Sequence, residues 1–258
     1  MQVRRIYKLG AAVFGILLIF LLCQSCQEEL PTPGIPESAR EWVEASARYH
    51  DPKARWQAFE GSFAVTPTTP RGESYTNNLY LDRARDTFSR SIESGGFPLV
   101  QVVGPSGCSA TWPNPAATET QLLRNGLRED PCAYILPRFD YYEFLMGIPM
   151  VALEGGLSAS GSGVISFRQN PNLVAAFGVD CVEVELTFST GNLTWFLYIH
   201  PTSYRLQAAK FVSTNGSGEW LSYEADTEFN GFLLKRTQRW FRLDGVTEII
   251  ADEVRWGE

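Results

Sequence analysis

The chain has 258 residues, with 22 Lys and Arg against 29 Asp and Glu and a formal charge of −7. Charged residues make up 20% and apolar residues 44%, with 22 Gly and 15 Pro, which excludes wholesale disorder and collagen-like repeats. Two His and five Cys leave little material for a His/Cys metal site, and the length suits one large domain or two small ones.

Arg4, Arg5 and Lys8 precede an apolar run from Leu9 to Leu22. The run is short of the roughly 20 residues that span a bilayer and fits the apolar part of a secretory signal. The segment Phe20-Leu21-Leu22-Cys23-Gln24-Ser25-Cys26 resembles a bacterial lipoprotein signal, in which a Cys becomes the lipidated first residue of the mature chain. Ser25 supplies the small residue wanted before Cys26, whereas Leu22 does not do so for Cys23; Cys23 itself departs from the usual Leu of that signal. Residues 1–25 therefore read as a lipoprotein signal peptide and Cys26 as the lipidation site. An uncleaved single-span anchor is the other reading. Without residues 1–25 the chain keeps 19 basic against 29 acidic groups, a poor ligand for phosphate backbones, so no nucleic-acid partner is expected. Gln27 in place of Asp, by analogy with such lipoproteins, implies delivery to the outer membrane. Glu28-Glu29 resembles a short acidic export tag, so the periplasmic side and the cell surface both stay open. Residues 26–36 form the anchor and a Pro-rich tether, with Pro31, Pro33 and Pro36 stiffening it.

Residues 37–258 read as a single domain. From Pro36 to Tyr49, Ala39, Trp42, Val43, Ala47 and Tyr49 recur at helical spacing, with Glu37, Arg40, Glu41, Glu44 and Arg48 opposite. His50-Asp51-Pro52 breaks that helix. From Gly61 the period changes to two, with short strands expected near 61–67, 74–82, 86–93, 98–103 and 109–112. Residues 117–128 are expected to be helical. Asp130-Pro131 opens a further helix with Phe139, Tyr142, Leu145 and Met146 as its stripe, divided or kinked at Pro137 and ended by Gly147 and Pro149. A Gly/Ser loop over 155–163 leads to at least five long strands. Val182, Val184, Leu186 and Phe188 alternate with Glu183, Glu185 and Thr187, which gives that strand one wet face. Trp195 to Ile199 is apolar on both faces. Asn215-Gly216, Asn230-Gly231 and Asp244-Gly245 are hairpin turns between the later strands, and consecutive hairpins imply an antiparallel meander. The fold class is α+β: a curved antiparallel sheet, an open half-barrel, with N-terminal and mid-chain helices on its concave side.

Three stretches carry a resemblance. They are Tyr49-His50-Asp51-Pro52 followed by Trp56-Gln57-Ala58-Phe59, then Tyr141 to Met150, then Trp195 to Tyr204. Together they resemble an uncharacterised family of Bacteroidota lipoproteins whose architecture is similar to the lipoprotein-carrier (LolA/LppX-like) fold, over most of 37–258. The resemblance implies a half-barrel enclosing an apolar cavity that handles acyl chains. It carries over no binding residue. The carrier is a soluble shuttle, whereas a chain tethered at Cys26 would be a resident lipid acceptor.

Signals for catalysis are weak. Gly156-Leu157-Ser158-Ala159-Ser160 nearly matches a nucleophile elbow but lacks the last Gly, and a strand follows where the elbow needs a helix. His50 at a helix end, where its charge would complement the dipole, and His200 in a turn both suit structural roles. Glu183 and Glu185 read as solvated, and Asp82-Arg83-Ala84-Arg85-Asp86 as a charged hairpin tip. No Cys-x-x-Cys follows Cys26 and no Walker loop occurs, so no cofactor or metal is expected. Cys108 and Cys132 are the favoured disulfide pair, closing a loop of about 25 residues for roughly 3 kcal/mol; all three of Cys108, Cys132 and Cys181 as buried thiols is the alternative.

Sixteen Phe, ten Tyr and seven Trp remain to be housed. Strands apolar on both faces need cover on both, so one face can enclose a cavity. Its candidate lining is Trp42, Phe139, Tyr142, Met146, Trp195, Tyr198, Phe211 and Trp240. The expected function is non-catalytic binding of a hydrophobic ligand, an acyl chain or lipid, by a membrane-anchored envelope lipoprotein. The alternatives are a surface module binding glycan or protein through exposed aromatics, and an envelope hydrolase.

Overall fold

The computed structural model describes residues 35–94, 97–111, 131–154, 157, 160–190 and 192–257. Cys26, the signal segment, Ser158 and the helix expected over 117–128 lie outside them.

Helix α1, Ala39–His50, starts at Ser38, whose side chain accepts from the Glu41 backbone while the Glu41 carboxylate accepts from Ser38. This reciprocal cap satisfies two otherwise orphaned N–H groups. Trp42, Val43, Ser46 and His50 are buried along one side, and Arg40 pairs with Glu44 on the other. At the far end the Asp51 carboxylate accepts from the Trp56 backbone at 2.7 Å, which fixes the entry to a short 3-10 turn, Trp56–Ala58.

Twelve strands follow: β1 (Glu60–Thr68), β2 (Asn77–Asp82), β3 (Thr87–Ser94), β4 (Phe97–Gly104), β5 (Gly107–Thr111), β6 (Val164–Ala176), β7 (Val179–Phe188), β8 (Leu193–Ile199), β9 (Leu206–Ser213), β10 (Gly218–Phe229), β11 (Phe232–Arg242) and β12 (Glu248–Trp256). They form one sheet in the order β5-β4-β3-β2-β1-β12-β11-β10-β9-β8-β7-β6, and each pairing is antiparallel. The sheet is open, with β5 and β6 at its edges. The chain meanders out from β1 to one edge, crosses to the other, and meanders back until β12 pairs with β1.

Helix α2, Pro131–Gly147, lies in that crossing. It packs against β4, β5 and β11. In sheet order β4 and β11 are five places apart, about 24 Å in a flat sheet. A helix that touches both requires the sheet to curl around it. Helix α1 similarly reaches from β11 to β6. Both helices and the inner faces of the strands share one apolar core, with Phe63, Leu81, Phe88, Leu197 and Leu221 from the sheet and Val43, Phe139 and Leu145 from the helices. Phe88 and Phe139 stack with centroids 5.2 Å apart. Cys108 on β5 is joined to Cys132 in the first turn of α2, with Cα atoms 5.6 Å apart. The curved antiparallel sheet with its two helices is the α+β architecture expected from the sequence.

Four details add to or differ from the sequence reading. Helix α2 runs unbroken through Pro137. The longest strand, β6, follows the Gly/Ser loop although Asn170-Pro171-Asn172 interrupts its pattern; it tolerates Pro because it is an edge strand whose pairing slips between Gln169 and Leu173. Arg83 does not sit on a solvated tip but turns inward, paired with Glu143 at 2.7 Å and with Glu154. His50 is not a charged helix cap. Its burial, with Lys235 beside it, holds its pKa well below the usual histidine value. Its Nδ1 lies 2.6 Å from the Leu233 carbonyl, and its Nε2 meets the Leu206 N–H and the Lys235 amine.

Candidate functional site

The interior is mostly filled by the protein's own side chains, but not fully. Beside α2 lies a chamber of about 460 Å³ lined by Pro137, Tyr141, Phe144, Leu145, Leu157, Phe188, Leu193 and Trp195, with Asp140, Ser160, Ser162 and Thr190 at its polar margin. This is within the size range of small-molecule sites. A second space of about 340 Å³ adjoins it, lined by Tyr75, Arg138, Tyr142, Phe211, Glu219, Trp240 and Asp252 among others. Tyr141, Leu193 and Trp195 line both. Residues 137, 141, 144 and 145 face the first space and 138, 141 and 142 the second, so two adjacent faces of one helix meet at Tyr141.

The local sequence explains the placement. On β8, period two sends Trp195, Leu197 and Ile199 into the core and Phe196 and Tyr198 to the other face. Phe144 packs edge-on to both Trp195 and Phe188, with centroids 4.6 and 5.4 Å away. These rings form the wall of the chamber rather than a filled layer. Tyr141 stacks over Trp240 at 6.2 Å and stands where the two spaces meet.

The chemistry of the two spaces differs. The chamber is apolar. The adjoining space holds a buried acid, Asp252, which is 7% exposed. Its Oδ2 accepts from Trp240 Nε1 at 2.7 Å. Burial pushes its pKa up to about 6, against the pull of that hydrogen bond. Burial also raises Glu219. It pushes Tyr142 up to about 12 and holds Tyr141 well above the usual tyrosine value, so both phenols are neutral hydrogen-bonding groups.

Of the residues named from sequence, Trp195 lines both spaces, and Tyr142, Phe211 and Trp240 line the polar one. Trp42, Phe139 and Met146 are packed into the core. Tyr198 is a correction: it lies on the opposite face with Cys181 and Ala208, its hydroxyl donating to Glu183 at 2.6 Å. A strand apolar on both faces does not reveal which side is interior. Asp252 and Glu219 were missed, although the signal was present. Asp252 shares the parity of Ile250 and Val254 on β12, and Glu219 that of Leu221 and Tyr223 on β10; an acid on an apolar parity is the mark of a polar group sent inward. On the outer face Lys210 lies over the rings of Phe196, Tyr198 and Trp220, so that aromatic group is already capped by the protein's own cation.

The histidines are poorly placed for base catalysis. His50 is 1% exposed, and His200 Nδ1 accepts from the Thr202 and Ser203 backbones. Among the described residues no group of three or more His, Cys, Asp or Glu is arranged to hold a metal, and no helix is long and apolar enough to cross a membrane.

No family model and no curated protein matches the chain. Solved structures similar to it include a LolA superfamily protein from Nitrosomonas europaea, at 12% identity over 85% of this chain and 92% of that one, with a TM-score of 0.44. A DUF1329 family protein from Desulfovibrio piger matches at 8% identity over 86% and 92%, with a TM-score of 0.42. At such scores the functional reading rests on the chain's own geometry.

Proposed function

We propose that this protein is a non-catalytic binder of a hydrophobic ligand, an acyl chain or lipid, held in the chamber beside α2, and that Cys26 anchors it to the outer membrane as a lipoprotein. The observation that carries the reading is the chamber itself: a 460 Å³ apolar cleft walled by Phe144, Leu145, Leu157, Phe188, Leu193 and Trp195, open to solvent beside Pro137, Leu193 and Thr190. Its walls are mostly apolar, with few polar partners to hold ordered water, so a hydrophobic ligand is the occupant they favour. Each methylene placed there gains about 0.8 kcal/mol. A ligand burying ten of them gains roughly 8 kcal/mol before the costs of ordering and immobilisation.

Native mass spectrometry of the full chain taken from its own envelope without detergent tests this. A bound apolar species is expected, lost in Leu157→Trp, whose indole fills the chamber from its partly buried edge. A ligand-free wild-type chain that also takes up no lipid in vitro would contradict the reading. The hydrolase alternative finds little support, because His50 is sealed and His200 is used by its own turn. Of the aromatics on which the glycan or partner-binding alternative depends, Lys210 covers Phe196, Tyr198 and Trp220, and Phe177 beside Trp220 stays exposed.

A further inference from the structure

We propose that the polar space next to the chamber receives the positively charged head group of an amphiphile, an alkylammonium, while its chain occupies the chamber. The inference rests on the apolar-ligand reading and adds the chemistry of the head.

Three observations carry it. First, two carboxylates line this space, and neither has an ion-pair partner among the described residues. Asp252 takes one hydrogen bond, from the neutral Trp240 indole, and Glu219 forms no salt bridge among the described residues. A buried carboxylate such as Asp252 is ordinarily paired, and burial raises both acids with no cation beside them to offset it. Second, aromatic rings make up much of the remaining wall: Trp195, Phe211, Trp240, Tyr141 and Tyr142 line the same space, beside the aliphatic Val65, Pro67, Leu193, Ile249 and Ile250. Ring faces attract cations, and quaternary ammonium groups are bound in such enclosures. Third, the space borders the chamber, with Tyr141, Leu193 and Trp195 lining both, which sets a head group here beside a chain there.

The opposing group is Arg138. It lines the space from α2, but its guanidinium is held over the Tyr141 ring at 5.5 Å and it has further interactions of its own. Two acids against one arginine leave the lining net negative once Asp252 is ionised. An anionic head would add a third negative group. A neutral head would leave the buried Asp252 without a compensating cation. The groups facing Asp252 around the space are Arg138, Tyr141 and Tyr142 from α2, Glu219 from β10, Trp240 from β11, Tyr75 from the segment before β2, and the uncharged Val65 and Pro67 from β1. Only Arg138 and Glu219 among these carry charge.

Isothermal titration of the purified full chain, handled without detergent, distinguishes the outcomes. The probes are dodecyltrimethylammonium, dodecanoate and dodecyl maltoside, each below its micellar concentration. The expected result is one-to-one binding of the ammonium at least about tenfold tighter than dodecanoate at pH 7.5. Its advantage over the maltoside should shrink at pH 5, where Asp252 gains its proton while the ligand charge stays fixed. Glu219→Gln, at a partly exposed site, should reduce the ammonium-to-maltoside ratio several-fold, and Arg138→Gln should increase it. Dodecanoate binding as tightly as the ammonium, or a ratio unmoved by Glu219→Gln, would overturn the head-group inference while leaving the chamber reading intact. No binding by any of the three would overturn both.

Discussion

Replacing Asp252 by Asn should stabilise the protein, and only above mildly acidic pH. The carboxyl is buried and its pKa is raised from 3.8 to about 6. A raised acid is protonated in the folded state over a range where the unfolded chain has already released its proton. Its contribution is therefore most favourable at low pH and is lost as pH rises through that window, from about 4 to about 6. Two pKa units of difference amount to about 3 kcal/mol of destabilisation above pH 7. Asn keeps the shape and retains an oxygen to accept from Trp240 Nε1, but it carries no charge. Asp252→Asn should then gain about 1–3 kcal/mol at pH 7.5, allowing for a cost to its new amide donor, and close to nothing at pH 4. Urea unfolding of both proteins at the two pH values reads this directly. The difference between them cancels the contributions of His50, Lys235 and Glu154, which titrate alike in both. A gain of equal size at both pH values, or a loss at both, would refute the claim that the charge of Asp252 is held against its burial. If the head-group inference holds, the same substitution costs ligand preference, so the wild-type acid is a case of function retained at the expense of stability.

Two further outcomes follow from the packing. Arg83→Leu leaves the fully buried Glu143 and the largely buried Glu154 without a cation they share. Breaking such a group costs about 3–5 kcal/mol, measurable by guanidinium unfolding, and adding Glu143→Gln should recover part of it; a loss under about 1 kcal/mol would show the cluster to be solvated. Gly147→Ala places a Cβ 2.2 Å from Trp56 Cζ2 and 2.5 Å from Val151 Cγ2. Overpacking should lower stability by about 1–3 kcal/mol despite the better helix propensity of Ala, and a raised Tm would mean that the Trp56 ring yields freely.

The meander was readable because its turns are local chemistry. Asn230 and Gly231 both adopt positive φ, 52° and 83°, which is what the hairpin signal predicts. The alternation of Val182, Val184 and Leu186 against Glu183 and Glu185 fixed the faces of β7 for the same reason. Strand β6 is harder to read because an edge strand carries little apolar pattern and tolerates Pro171. The site was harder to read because it depends on contacts far apart in the chain. Phe144 and Trp195 meet across 51 positions, and nothing near either says that the space between Phe144, Phe188 and Leu157 stays open. Tyr198 was misplaced because β8 is apolar on both sides, and only the curl of the sheet decides which side is interior. Arg83 gives no local sign that it turns inward, since its partners Glu143 and Glu154 lie in the crossing, 60 and 71 positions further along the chain.

The most direct measurement of the central claim is a crystal structure of the chain with a terminally brominated twelve-carbon amphiphile, located by anomalous scattering. The account predicts a single bromine peak among Phe144, Phe188, Leu157 and Trp195. Bromine found only on the outer face of the sheet, or at no site while the chamber has closed over, would contradict it.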